Sequence, residues 1–312
     1  MKKISTAFFV FILLLIIIFW SLLNRRLISK SFESFSPEIS DSIETLVIGD
    51  SHTQTALNPA LMRGCISMSY SDENYFFTYY KLKWALEKEK NIKNVILGFS
   101  YHNLSINQEN AIKERTFFLE HEFLLLDDYG KLIVKKKSND LFTYFNMKYV
   151  YGLPLNFYNN DHLMINFASD KNEYRVKIWG GYKNMTTANI NSEQKSKMIE
   201  EKNSRNYEVS DLMVEYLRKI IILCEERNVS LYLVNTPIHQ LYYERYSEKT
   251  VKRFSSTADS LKTDGRIKYL DFQWFLTADS FYYDGEHLNE AGAEIFSKEM
   301  QFILDSEEKN AF

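Results

Sequence analysis

The chain has 312 residues, 45% of them hydrophobic and 25% charged, which is enough apolar mass for one large domain or two ordinary ones. With 23 Phe, 21 Tyr and 4 Trp against 10 Gly and 4 Pro, it carries the bulk that collagenous and disordered chains lack. Two cysteines, Cys65 and Cys224, supply at most one bridge, have no metal-ligand spacing and leave the compartment open.

Lys2 and Lys3 precede an uncharged run from Ala7 to Leu23, apolar but for Ser21. Ile4, Ser5 and Thr6 extend it to residues 4–23, long enough to cross a bilayer as a helix. Trp20 and then Asn24-Arg25-Arg26 follow where a cleaved signal peptide would carry small residues, so residues 1–26 read as an uncleaved membrane anchor. Basic residues flank both ends, and charge alone separates the two orientations poorly. Without Lys2, Lys3, Arg25 and Arg26, the 38 basic and 41 acidic residues leave a formal charge of −7, a balance unsuited to nucleic acid. Residues 27–43 are polar and Ser-rich and read as a spacer.

The remainder, 44–312, reads as one α/β domain. Thr45-Leu46-Val47-Ile48 is a short apolar run stopped by Gly49, as in a buried parallel strand. Tyr75, Phe76, Tyr79, Tyr80, Leu82 and Leu86 recur at helical steps and lead to a second strand, Val95–Phe99. From about 104 to 206 the alternation is lost, and the segment reads as a long insertion, a lid or substrate wall. It carries Lys135-Lys136-Lys137, read as a solvated turn, and an aromatic patch, Trp179-Gly180-Gly181-Tyr182. The pattern then returns: a helix with Val209, Met213, Tyr216, Leu217, Ile220 and Cys224 on one face, strands at 231–234 and 269–272, and a closing helix over 291–303. Strands alternating with helices predict a parallel sheet covered on both faces, with the active site at the strands' carboxyl ends.

Two segments carry chemistry. Ser51, in Ile48-Gly49-Asp50-Ser51-His52, directly follows a strand, where it either caps the next helix or acts as a nucleophile beside backbone N–H groups. Asp284-Gly285-Glu286-His287-Leu288-Asn289 precedes the last helix, and a D-x-x-H spacing lets His287 serve as base with Asp284 orienting the ring.

Together these segments resemble the SGNH/GDSL hydrolase family, which opens on Gly-Asp-Ser after its first strand and closes on D-x-x-H before its terminal helix. The resemblance covers both ends of the domain but not 104–206. It implies a flavodoxin-like three-layer α/β/α fold, with Ser51 as nucleophile, His287 as base, Asp284 as its orienting partner and no cofactor. The middle blocks depart from the family. Ser71, in Ser69-Tyr70-Ser71-Asp72, stands where the family has an oxyanion-hole glycine. In Gly98-Phe99-Ser100-Tyr101-His102-Asn103, Ser100 stands at the asparagine position and Asn103 three residues on. Ser71, Ser100 and Asn103 are therefore the oxyanion-hole candidates.

His102 and His239 follow strand ends and are substrate-binding candidates, each balanced against a structural role. Trp179 and Tyr182 are candidates for stacking on a sugar, balanced against core packing. His52 reads as a loop hydrogen-bonder, and His121 and His162 have no ligand-like partners at helical spacing, so no metal site is expected. The resemblance implies a serine esterase or O-acyltransferase on extracytoplasmic glycans or lipid-linked precursors, anchored in the bilayer and working beside a multi-span membrane acyltransferase. The alternative is a catalytically degenerate glycan-binding or assembly partner of such an enzyme.

Overall fold

A computed structural model describes residues 8–13, 15–16, 18–19, 37, 39–118, 125–137, 179–186, 190–205, 207–261 and 267–310. Among the described residues the chain runs β1 (Thr45–Ile48), α1 (Ser51–Ala56), β2 (Cys65–Ser67), α2 (Tyr75–Lys88), β3 (Asn94–Gly98), α3 (Ile106–Phe118), α4 (Asp128–Lys137) and α5 (Ser192–Glu200). It continues with α6 (Asp211–Glu226), β4 (Ser230–Asn235), α7 (Gln240–Tyr243), α8 (Glu248–Leu261), β5 (Ile267–Asp271) and α9 (Glu290–Asn310). The fold is α/β, with one sheet of five parallel strands in the order β2-β1-β3-β4-β5.

Strands β1, β3 and β4 are the central ones, and their apolar runs are buried almost without interruption, as strands covered on both faces must be. Each fully buried Leu, Ile or Val there contributes about 1.5–3 kcal/mol. Helix α6 begins where Ser210 Oγ accepts the Met213 N–H at 3.1 Å, and it buries Met213, Tyr216, Leu217, Ile220 and Cys224. Its Tyr216 ring meets Phe76 of α2 at 4.9 Å. Helix α9 closes over the start of the domain: Ser297 Oγ accepts the Asn58 N–H at 2.8 Å, and Gln301 Oε1 accepts that of Arg63 at 2.7 Å.

From β1 the sheet grows in one direction to β2 and in the other to β3, so the connections leaving β1 and β3 part and open a crevice at their carboxyl ends. Two glycines let helix α1 approach that point. A Cβ on Gly49, whose φ is +141°, would stand 2.8 Å from Thr53 Oγ1, and one on Gly98 would stand 2.9 Å from Thr53 Cγ2. Gly49→Ala is expected to lower stability by about 1–3 kcal/mol through backbone strain alone, measured by urea unfolding.

The loop after β2 is fixed by a buried ion pair. Lys81 Nζ of α2 donates to Glu73 Oε2 and to the Met68 carbonyl, both at 2.6 Å, and Thr78 Oγ1 donates to Glu73 Oε1 at 2.9 Å.

Pro37–Ala111 and Trp179–Phe312 form one compact unit, and Met1–Ser36 with Ile112–Ile178 form another. Residues from Trp179 onward, within the expected insertion of about 104–206, belong with the sheet's unit, where Gly181 N–H bonds Ser69 O at 2.9 Å and Lys183 N–H bonds Gln54 O at 2.9 Å. In the other unit, Lys135–Lys137 form the last turn of α4 instead of a loop turn, where cations suit the carbonyl end of a helix. The described residues of 8–19 are helical and expose large side chains such as Phe8, Phe9, Phe11, Ile16 and Phe19. Among the described residues no helix is long and apolar enough to cross a membrane. The expected span over 4–23 includes residues outside the described set.

Candidate active site

Ser51 sits at the crevice as the first residue of α1. Asp50, not Ser51, is the helix cap: its Oδ1 accepts the His52 N–H at 2.9 Å. The Ser51 hydroxyl is thereby left for other work, and Ser51 Oγ lies 2.9 Å from His287 Nε2. Its own N–H, in the first turn, has no intrahelical acceptor.

His287 comes from the loop before α9. That loop is pinned by a bridge between Tyr282 and Leu288, and by Asn289, whose Oδ1 accepts the Gly292 N–H at 3.1 Å and whose Nδ2 donates to Ser280 O at 2.7 Å. Asp284 Oδ1 accepts the backbone N–H groups of Glu286 and His287, each at 2.8 Å, and both carboxylate oxygens lie 3.0 Å from His287 Nδ1. Burial opposes the Asp284 charge but is outweighed by His287 and the two backbone donors, which hold the carboxyl below its usual range. An anionic Asp284 accepting from Nδ1–H leaves Nε2 as the acceptor facing Ser51, the tautomer a base requires. Three residues expected from sequence are thus in series, joined across 236 positions of chain.

The oxyanion candidates fare differently. Ser71 lies in the turn after β2, and its Oγ donates to Gln54 Oε1 of α1 at 2.8 Å. Asn103 is buried with its amide already engaged: Nδ2 donates to Asp50 Oδ2 at 2.7 Å, and Oδ1 accepts the Ser100 N–H at 2.6 Å. One amide N–H thus holds Asp50, the cap of α1. Ser100 spends its N–H on Asn103, while its hydroxyl has no hydrogen-bond partner among the described residues.

His102 is a positioning group as well. Its Nε2 lies 2.6 Å from Asp50 Oδ2, so the loop after β3 holds the residue that caps α1 through two side chains. For Asp50, burial works against the charge, but His102, His52 and Asn103 outweigh it and keep the carboxyl well below the ordinary range. For His102, burial disfavours the imidazolium, and Asp50 overcomes it and raises the pKa. The stability His102 gains is whole below about pH 6.5 and is lost as pH rises through its raised folded pKa. That of Asp50 is whole above about pH 4 and is lost as pH falls through its depressed one. The urea stability gap between wild type and His102→Ala is therefore expected to be widest from about pH 4 to 6.5 and to narrow at higher pH.

Sequence reasoning missed a second carboxylate–imidazole pair beside the triad. His52, expected in a loop, is buried in α1 with Nε2 3.6 Å from Glu286 Oε2, and its ring lies 4.5 Å from that of His102 and 5.5 Å from that of His287. Burial opposes the Glu286 charge, yet His52 and Arg205 hold its carboxyl far below the usual range. The only sequence signal was Glu286's position inside the D-x-x-H segment.

Three substrate-binding expectations need correction or narrowing. Trp179 is 1% exposed and stacks on Trp84 at 4.1 Å between ring centres, so it is core, because the segment folds back onto α2. His239 caps α7: Nδ1 accepts the Leu241 N–H at 3.2 Å, and Nε2 lies 3.0 Å from Asp279 Oδ1. Both nitrogens are occupied, and its N–H ties α7 to the Gly285 carbonyl at 3.1 Å. Tyr182 is half-buried on the strip that bonds to Gln54 of α1, and burial with nearby Glu290 raises its hydroxyl pKa. His121 and His162 lie outside the described residues.

No curated protein matches the chain. One protein-family model, which carries no description, matches residues 166–307, a stretch that includes β4, β5 and the Asp284–His287 loop but not Ser51.

Proposed function

We propose that the protein is a membrane-anchored serine esterase or O-acyltransferase of SGNH type, with a flavodoxin-like three-layer domain acting on acyl esters of extracytoplasmic glycans or envelope polymers. The observation that carries this reading is the line from Ser51 Oγ to His287 Nε2 at 2.9 Å and from His287 Nδ1 to Asp284 at 3.0 Å. The sheet order β2-β1-β3-β4-β5 supports the fold assignment. The exposed apolar side chains of residues 8–19 support the anchor over 4–23.

In this mechanism Ser51 Oγ attacks the acyl carbonyl carbon as its proton passes to His287 Nε2, and Asp284 stabilises the imidazolium. The developing oxyanion meets the Ser51 N–H and the Ser100 hydroxyl. His287 then protonates the leaving alkoxide, giving an acyl ester on Ser51. Water or a sugar hydroxyl resolves it, surrendering its proton to His287 as it attacks.

The second reading, a degenerate glycan-binding or assembly partner of a multi-span membrane acyltransferase, is favoured by one observation: Asn103's amide is committed to Asp50. Labelling of the full chain in detergent with a fluorophosphonate separates the two. Wild type is expected to be labelled and Ser51→Ala not; a folded wild type that stays unlabelled would overturn the catalytic reading.

A further inference from the structure

The aromatic residues that are exposed in the sheet's unit are not those of the Trp179 patch. Trp274, in the turn directly after β5, is 48% exposed, although its neighbours Gln273 and Leu276 are 5% and 6% exposed, so a locked turn holds the indole out into solvent. Its ring stands edge-to-face with Tyr243 of α7, 4.9 Å between centres and at 75°, making a corner of two perpendicular aromatic faces. Tyr243 is backed by Tyr101 at 5.7 Å, and Tyr101 by Tyr246 at 4.7 Å, so the corner is rigid. The corner is also joined to the catalytic loop. Gln273 O accepts the Ile238 N–H at 3.4 Å, and Gly285 O accepts that of His239 at 3.1 Å, which links the Trp274 turn to α7 and α7 to the loop bearing Asp284 and His287.

We propose that Trp274 and Tyr243 form a sugar-stacking subsite that holds a neutral pyranose ring of the substrate chain, away from the scissile ester; this inference rests on the esterase or acyltransferase reading and names its substrate class. A pyranose offers a C–H face that stacks on an indole and hydroxyls that bond polar side chains, and exposed Asp271 and Gln240 stand three residues before Trp274 and Tyr243 respectively. In the turn after β5 the exposed large apolar side chains are Trp274 and, less so, Phe275, which by themselves are too little for a protein interface. The domain's formal charge of −7 beyond residue 26 disfavours anionic headgroups as the occupant. β5 lies three strand spacings from β1, about 14 Å, a span that an oligosaccharide covers and a lone acyl group does not.

The test is calorimetric titration of the full chain in detergent, carrying Ser51→Ala to prevent turnover, with cellohexaose and chitohexaose. Saturable binding of at least one is expected, with Trp274→Ala weakening it about tenfold or more, Trp274→Tyr retaining most of it, and Phe302→Ala, at an exposed aromatic on α9 outside the Trp274–Tyr243 corner, leaving it unchanged. Equal affinity in Trp274→Ala, or no saturable binding of either sugar at millimolar concentration, would overturn the subsite. Turnover of p-nitrophenyl acetate by the wild type separates the two ideas. Turnover without sugar binding removes the subsite and keeps the esterase; sugar binding that depends on Trp274 without turnover keeps the subsite and removes the esterase.

Discussion

Asp284→Asn is expected to lower the turnover of p-nitrophenyl acetate on the order of 10⁴-fold while leaving the melting temperature near that of wild type. The carboxylate does three things at once: Oδ1 accepts the N–H groups of Glu286 and His287, and both oxygens face Nδ1 of the imidazole. An asparagine can keep its oxygen on the backbone donors, so the loop survives. Its amide then donates toward Nδ1 and favours the tautomer with hydrogen on Nε2, which cannot accept the Ser51 proton. His287→Ala removes the base and is expected to cost at least as much, because triad members act as a unit. Steady-state kinetics beside circular-dichroism melts decide the matter: a loss under tenfold in either variant would mean that Ser51 is not activated through this line.

Lys81→Met is expected to destabilise the fold by about 3–5 kcal/mol in urea unfolding, the largest single-site loss of stability anticipated here. Lys81 and Glu73 are 1% and 1% exposed, so removing the ammonium takes its ion-pair partner from a carboxylate in the core, while the Thr78 hydroxyl still bonds it. Pairing the change with Glu73→Leu is expected to recover much of the loss, because the pair's Coulombic gain and its desolvation cost nearly cancel. The same pair fixes the loop from Met68 to Glu73 that carries Ser71, so the single variant is also expected to lose activity below its unfolding transition. A Lys81→Met protein as stable as wild type would mean that the pair does not hold this part of the core together.

The sheet's central strands were readable because each is an apolar run too short for a helix and closed by Gly or Asn, as at Gly49, Gly98 and Asn235. β2 was not readable: Cys65-Ile66-Ser67 has no pattern of its own and becomes a strand through pairing with Thr45–Val47. Ser51, Asp284 and His287 could be picked out because their spacing is local within each segment. The bond between Asn103 and Asp50 was not readable because the two are 53 positions apart and no periodicity connects them. Trp179 and Trp274 look alike in sequence, and only the fold buries one against Trp84 and turns the other outward.

Ser51 follows β1, whereas His287 and Asp284 come far later in the chain, just before α9, the last helix described. Strands β1, β2 and β3 can pair and carry the serine with its Asp50 cap while the base is still unsynthesised. Only when α9 docks on Asn58 and Arg63 does the loop reach its partner. On the proposed reading, a chain in which α9 has not docked would hold the nucleophile without its base, so hydrolytic competence would coincide with the closing of α9 onto the sheet.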